Sequence, residues 1–509
     1  MYFFCKKPIN PYLKLCFILA FLVFPCLVYA NGHPQLTVHN IGQGNFVSLA
    51  VPHEEGVEFM VIDAGSSSIQ PELYYIKNQK PLDEVETLNP PASSNVEGGQ
   101  PSTPTKNPLL NSFPESSKKP VNPKNRDQDF KEKKKISEKS VVLLKVEAEL
   151  LEDIRQGLSS KPSSKTQPNE QQKELEVYIK TIVISHPDQD HYNWLPKVIK
   201  EKDKVDFIIF AGLPSHYKAL RPWIIQRLDA KSQIFFPAVQ AEPIAPADPN
   251  NPLAEVMAKE NQEQFAPQQA YNNAGDAAGF GEAFRFKNPD LQIALLSVNP
   301  LHVTEHGGVM RLADDEADDN KDSLILKITY HDHSVLLTGD ATQATFRRIK
   351  NNYRHNLEFL KSTVLLAAHH GADSHGSNAQ DWINLIQPEV VLISTGLKHG
   401  HPQLGAYENF KLSPRLKWAE RHSVLVRHPD TYMLHDTHKG IFSTLNSGDL
   451  IVTLPGKNDF TLSYVLDRQQ KEVQFLTTPP LQQQDNENPD PEEETEQERK
   501  KLKFSEGED

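Results

Sequence analysis

The sequence predicts an α/β fold carrying low-complexity insertions, and three observations predict it. Apolar runs of strand length alternate with stretches of helical pattern: Val177–Ser185 precedes Leu195–Lys202, Val205–Ala211 precedes Lys218–Leu228, and Val364–Ala368 precedes Ala379–Ile386. The residues able to do chemistry fall at the carboxyl ends of such runs, where open α/β sheets place their ligands. Hydrophobic residues make up only 38% of the 509, and Pro (38) outnumbers Gly (24), so sizeable segments never join a core.

Taken in order, residues 1–30 read as a secretory signal peptide, with an uncleaved N-terminal anchor as the alternative. Lys6, Lys7 and Lys14 precede the apolar run Leu15–Val28, and Val28-Tyr29-Ala30 sets small residues before a cut at Asn31. All three cysteines (Cys5, Cys16, Cys26) lie within this leader, so the rest of the chain has no disulfide, thiolate metal site or cysteine nucleophile. No later run approaches the roughly 18 apolar residues of a membrane span. The expectation is an exported protein, periplasmic or secreted, with no stable membrane span.

Residues 31–478 are expected to form one domain. Leu36–Ile41 alternates as a strand does and is turned by Gly42-Gln43-Gly44; Phe46–Ala50 and Phe59–Ile62 are the next strands. From about 77 to 172 the chain is rich in Pro, Ser, Asn and Lys. It reads as a disordered insertion holding one helix, Ser140–Gln156, and is either a docking arm for a protein partner or a tolerated surface insertion. A second irregular insertion spans about 238–283. Strands Ile293–Val298, Leu324–Tyr330 and Val335–Thr338 follow, the last two joined through His331–Ser334. Helix Thr342–Asn351, strand Val390–Ser394 and a short β segment within Ser423–Leu454 complete the domain before a disordered acidic tail, 479–509. The net charge of −13 excludes a strongly held, sequence-reading DNA protein, because phosphate neutralisation needs a basic surface.

The strongest chemical signal is His186-Pro187-Asp188-Gln189-Asp190-His191, set directly after an apolar strand. At a strand end this spacing lets His186 and Asp188 face one metal ion while Asp190 and His191 face a neighbour. Two such ions about 3.5–4 Å apart clamp a displacement at phosphorus or generate hydroxide near neutral pH. Asp340, closing Leu336-Leu337-Thr338-Gly339-Asp340, is the natural bridging ligand or the N-cap of the following helix; the two roles are compatible. His369-His370-Gly371 ends another strand, with His370 favoured as a ligand or acid/base group and the other imidazole orienting a ligand. In His399-Gly400-His401-Pro402, His401 is the favoured ligand and a surface loop the alternative. His331, His333, His302, His306, His435 and His438 read as loop or strand-end residues. Ser374 and Ser377 read as caps or substrate contacts, and Lys398 and Arg347 as solvated charges or contacts to an anionic substrate.

Together, His186–His191, Thr338-Gly339-Asp340, His369-His370-Gly371 and Gly400-His401-Pro402 resemble the metallo-β-lactamase superfamily. Ile41-Gly42-Gln43-Gly44-Asn45, Ile62-Asp63-Ala64-Gly65 and Asn320-Lys321-Asp322-Ser323 narrow the resemblance to the extracytoplasmic hydrolase domain of ComEC-type competence proteins. It runs from about Leu36 to Leu454, the two insertions aside, and no channel domain accompanies it. The resemblance implies a four-layer αββα sandwich and a binuclear site. His186 and Asp188 would hold one ion, Asp190 and His191 the other, Asp340 would bridge, and His370 and His401 would complete the set. Asp188 stands where many members have His, which hardens the site and makes Mn²⁺ as fitting as Zn²⁺. Asn320 occupies the region where many members supply another His.

The expected function is an exported, binuclear metal-dependent hydrolase acting on a phosphodiester through a metal-bridging hydroxide. Asp190, His370 and His401 are its catalytic candidates, and DNA would be a weakly bound substrate. The rival expectations are an amide, ester or lactone hydrolase acting on a small molecule, and a non-catalytic metal-binding scaffold.

Overall fold

The computed structural model describes residues 32–68, 147–159, 176–212, 214–241, 270–271, 280–297, 299–303, 309–311, 319–429, 431–456, 459–466 and 469–480. The leader, most of the 77–172 segment, most of the 238–283 segment and the tail beyond 480 lie outside these residues.

The chain builds an α/β sandwich from two mixed sheets. The first has nine strands in the order Gln469–Glu472, Thr461–Leu466, Asp449–Thr453, Gln35–Val38, Gln43–His53, Gly56–Ser68, Tyr178–Ile184, Lys204–Phe210, Gln233–Phe235. Its pairings are antiparallel as far as Gly56–Ser68 and parallel beyond. The second has seven strands: Ile441–Ser443, Val390–Ile393, Val364–Leu366, His333–Leu337, Ile325–Tyr330, Leu291–Ser297, Ala270–Tyr271. Here the first four strands pair in parallel and the last three antiparallel.

The parallel strands were legible as unbroken apolar runs because both their faces are covered. Ile182, Val183 and Ile184 are fully buried, as are Val390 to Ile393. One core takes alternate residues from both sheets, among them Val47, Leu49, Met60, Ile62, Val183 and Ile209 against Ile293, Leu295, Leu326, Val335, Leu366 and Leu392. The opposite face of the first sheet packs Phe59, Ile182 and Phe210 against Tyr192, Leu195, Trp223 and Ile224. The opposite face of the second packs Leu336, Leu365 and Val391 against Phe346, Trp382, Ile383 and Phe410.

Several expectations shift. The turn after the first strand is His39–Gly42, and Gln43 already belongs to the second strand. The connection at 331 is tighter than expected: Tyr330 pairs with His333 and His331 takes φ 51°. Helix Leu195–Lys202 shortens to Leu195–Val198, preceded by the turn Gln189–Tyr192. Helix Leu404–Lys411, unpredicted, buries Ala406, Tyr407 and Phe410. The helix expected at Ser140–Gln156 is present over 147–157 among the described residues, and it is built into the body. Ile154 and Leu158 join the first sheet's outer core, and the buried Arg155 guanidinium pairs with Asp203 at 2.6 Å. From the second irregular segment, Phe280–Ala283 is helical and Ala283 is fully buried. Among the described residues, no helix is long and apolar enough to cross a membrane.

Candidate metal centre

Strand Gly56–Ser68 continues past the expected end at Ile62 because its second half pairs with Gln43–Phe46. The register breaks there: Phe46 faces Ala64 and Val47 faces Ile62, so Asp63 is the extra residue of a bulge, at φ 57°. A bulge re-aims the side chain it carries. The Asp63 carboxylate, fully buried, accepts from Asn45 Nδ2 (2.8 Å), from Ser185 N and Oγ (both 2.6 Å) and from His191 Nδ1 (2.9 Å). With Nδ1 fixed as the donor, His191 Nε2 turns toward Asp340 Oδ1 at 3.2 Å.

Two glycines permit the close approach. A Cβ on Gly65 would lie 2.5 Å from the backbone carbon of Asp190, so only glycine lets this strand meet the metal-motif loop. Gly339, at φ +50°, brings Asp340 beside Ser185, whose Oγ a Cβ would meet at 2.7 Å. Asp340 N then donates to Ser323 Oγ at 3.2 Å. Thr342, not Asp340, is the N-cap residue of helix Gln343–Asn352, and its backbone N donates to Thr345 Oγ1 at 3.4 Å, so the Asp340 carboxylate faces the imidazoles instead.

His369 and His370 both adopt left-handed backbone, φ 49° and 57°, a conformation costing about 1–3 kcal/mol for each non-glycine residue. Asn378 holds the turn in place: its side chain donates to Ala368 O (2.8 Å) and Ala372 O (2.7 Å) and accepts from Ala368 N (3.1 Å). The result points both rings at Asp340. His370 Nδ1 donates to Ser394 O at 2.8 Å, leaving Nε2 at 3.8 Å from both Asp340 Oδ1 and Asp190 Oδ2. His369 Nε2 lies 3.7 Å from Asp340 Oδ2.

His191, Asp340 and His370 therefore form a three-donor group, their ligating atoms within 4.8 Å of one another. Asp190 adjoins it through His370. The His401 ring centroid lies 5.6 Å from that of His369 and 6.3 Å from that of His370. His186 stacks edge-on to His191 at 5.2 Å and sits 3.3 Å from the exposed carboxylate of Asp188. All seven residues expected at the site thus gather at one edge of the sandwich. Asp188 and His186 form a pair beside the three-donor group. Asp63, Asn378 and the second imidazole, His369, were not among the expected ligands or catalytic residues. The short Asp-Ala-Gly motif was the one visible sign of Asp63, and a bulge leaves no periodicity in a sequence.

The charges are strongly perturbed. Burial works against the His191 imidazolium, yet Asp340 and Asp63 on either side hold it well above the ordinary value. Burial also works against the Asp340 carboxylate, and the surrounding His191, His370 and His369 hold it well below the usual range. Burial, reinforced by His370 and His369, pushes His401 down to about 3. The His186 imidazole beside Asp188 keeps that carboxyl below its ordinary value.

A metal fits these residues. His186 Nδ1, His369 Nδ1, His370 Nε2 and His401 Nδ1 are buried without a hydrogen-bond partner, and unsatisfied imidazole nitrogens gathered around the Asp340 carboxylate suit a cation's donor set. His401, held neutral, and His370, with Nδ1 committed to a carbonyl, are suited to ligation. No known protein-family model matches this chain, and no curated protein does.

Proposed function

We propose that the chain is a metal-dependent hydrolase of the metallo-β-lactamase fold, binding two divalent ions (Zn²⁺ or Mn²⁺) and cleaving phosphodiesters. The observation that carries the reading is the buried three-donor group of His191, Asp340 and His370, ringed by unsatisfied imidazole nitrogens at the carboxyl ends of parallel strands. His186 and Asp188 would hold one ion, Asp190 and His191 the other, with Asp340 between them and His370 and His401 completing the set. Bound there, the ions supply Lewis acidity at phosphorus and an activated water.

The chain's own residues do the rest. Asp63 accepts from His191 Nδ1 and so sets its tautomer, Ser394 O does the same for His370, and the double left-handed turn braced by Asn378 orients His369 and His370. Asp188 is exposed and Asp190 partly so, so substrate would enter on their side. With residues 1–30 read as a signal peptide, the activity would lie outside the cytoplasm.

The net charge of −13 favours short or single-stranded substrates over long duplex DNA. The test is hydrolysis of bis(p-nitrophenyl) phosphate with Mn²⁺ beside a panel of aryl esters and lactones with Zn²⁺. Phosphodiester cleavage supports the reading. Cleavage confined to esters or lactones replaces it with the small-molecule hydrolase, and cleavage of neither leaves the scaffold.

A further inference from the structure

The turn Leu397–Gly400 lies between the strand end at Ile393 and the ligand candidate His401. Its base is fixed. Ser394 Oγ donates to Gly44 O (2.9 Å), Thr395 N to Thr444 Oγ1 (3.1 Å), Gly396 N to Gln43 Oε1 (3.2 Å), and the Tyr432 hydroxyl to Leu397 O (3.3 Å). A Cβ on Gly396 would come within 2.5 Å of Gln43 N, so this anchoring is close backbone contact. Gly400 N closes the turn onto Leu397 O at 3.4 Å, which leaves Lys398 and His399 at the corners, both exposed.

Lys398 reaches the end of strand Gly56–Ser68. Its ammonium donates to Ser67 O at 3.4 Å, and Ser67 is the extra residue of a second register break, where Gln43 faces Ser68 and Gly44 faces Ser66. Ser66 is locked in turn to Asn193, two residues past His191, through bonds of 2.9 and 2.7 Å. The lysine thus bridges the loop bearing His401 and the strand end that supports Asp190 and His191. His401, which ends the same loop, has its ring centroid 6.3 Å from that of His370, so this turn stands beside the buried cluster. Among the described residues, Lys398 makes no ion pair; one long bond to a carbonyl leaves its positive charge uncompensated.

We propose that Lys398 is a specificity-determining residue that recognises a second anionic group of the substrate, the phosphate next to the scissile one in a phosphodiester chain. This rests on the phosphodiester reading. The scissile group belongs with the buried donors, whereas an exposed ammonium on a pinned turn, a point charge on a flexible stem, meets the next phosphate along.

The test compares two probes with the Mn²⁺-loaded full chain: trithymidylate, which has two phosphates, and bis(p-nitrophenyl) phosphate, which has one. Lys398→Gln is expected to raise KM for trithymidylate about fivefold, with kcat within about twofold, as loss of one solvent-exposed charge contact does. KM for the single-phosphate probe moves less than about twofold in the same variant, and Lys398→Arg restores the trithymidylate value. An unchanged KM for trithymidylate, an equal rise on both probes, or a loss expressed in kcat would each overturn the assignment while leaving the phosphodiester reading intact. A parent that cleaves neither probe overturns that reading and this assignment together.

Discussion

Asp63 shows how one backbone irregularity places a functional group. Without the extra residue between Ile62 and Ala64, position 63 would point along the strand's regular alternation and could not collect Asn45, Ser185 and His191 together. Asp63→Asn keeps the size but replaces one carboxylate oxygen by a donor, so His191 loses its fixed tautomer. Mn²⁺ affinity by calorimetry should fall about 10–100-fold while the fold persists; unchanged affinity would show that Asp63 serves only the strand junction. Gly65→Ala drives a methyl into Asp190 and should likewise weaken metal binding, by displacing the loop. Wild-type affinity in that variant would mean the loop gives way freely. These residues were hard to anticipate. The ligand types announced themselves by spacing, whereas Asp63, Asn378 and the brace at Ser394 act through hydrogen bonds made only once the chain has folded, which no local pattern records.

Elements show the same division between what periodicity reveals and what only packing decides. The helix at 147–157 was legible as Ser140–Gln156 within a polar stretch, but its seating was not: Ile154, Leu158 and the Arg155–Asp203 pair hold it against the first sheet. Removing Arg155 leaves Asp203 buried with only its bonds from Val177 N and Lys200 N. Arg155→Ala should cost about 3 kcal/mol in denaturant unfolding, and a cost near zero would mark the helix as a loose appendage. On the second sheet, Lys327 is 6% exposed and its ammonium meets the carbonyls of Phe359 and Lys361, closing the helical turn Leu357–Leu360. Burial lowers it from 10.5 to about 8. Because the folded value lies below the unfolded one, the unfolded chain holds an extra proton between about pH 8 and 10.5, and stability rises with pH across that window. Below it both states carry the charge and the contribution is flat. Relative to Lys327→Met, the parent should gain up to about 3 kcal/mol from pH 8 to pH 10; parallel pH profiles would contradict this.

At the scale of the molecule, the sandwich brings to one edge five chain segments that lie far apart in sequence. The parallel strands ending at Ile184, Leu337, Leu366 and Ile393 aim their following loops there, and the bulged strand Gly56–Ser68 supplies the fifth. The α/β class and the position of the site at strand ends were legible because doubly buried strands read as apolar runs and ligands follow them directly. The nine-stranded extent of the first sheet was not legible. Its outer strands, such as Gln469–Glu472, are polar and exposed, and pair through backbone alone. The acidic chain also sets an expectation for nucleic acid: cleavage of linear DNA should fall several-fold between about 50 and 200 mM salt, and activity that holds at high salt would contradict it.

The central claim is that the gathered imidazoles and carboxylates are a two-ion hydrolytic centre with Asp340 at its middle. Its most direct test titrates the metal-free full chain with Mn²⁺, following bound ions and phosphodiester cleavage together, beside Asp340→Asn. The account predicts two ions per chain, cleavage that appears as they bind, and a variant that loses both tight binding and at least about 100-fold of the rate. A parent that binds no ion, or an Asp340→Asn protein that cleaves as fast as the parent, would contradict it.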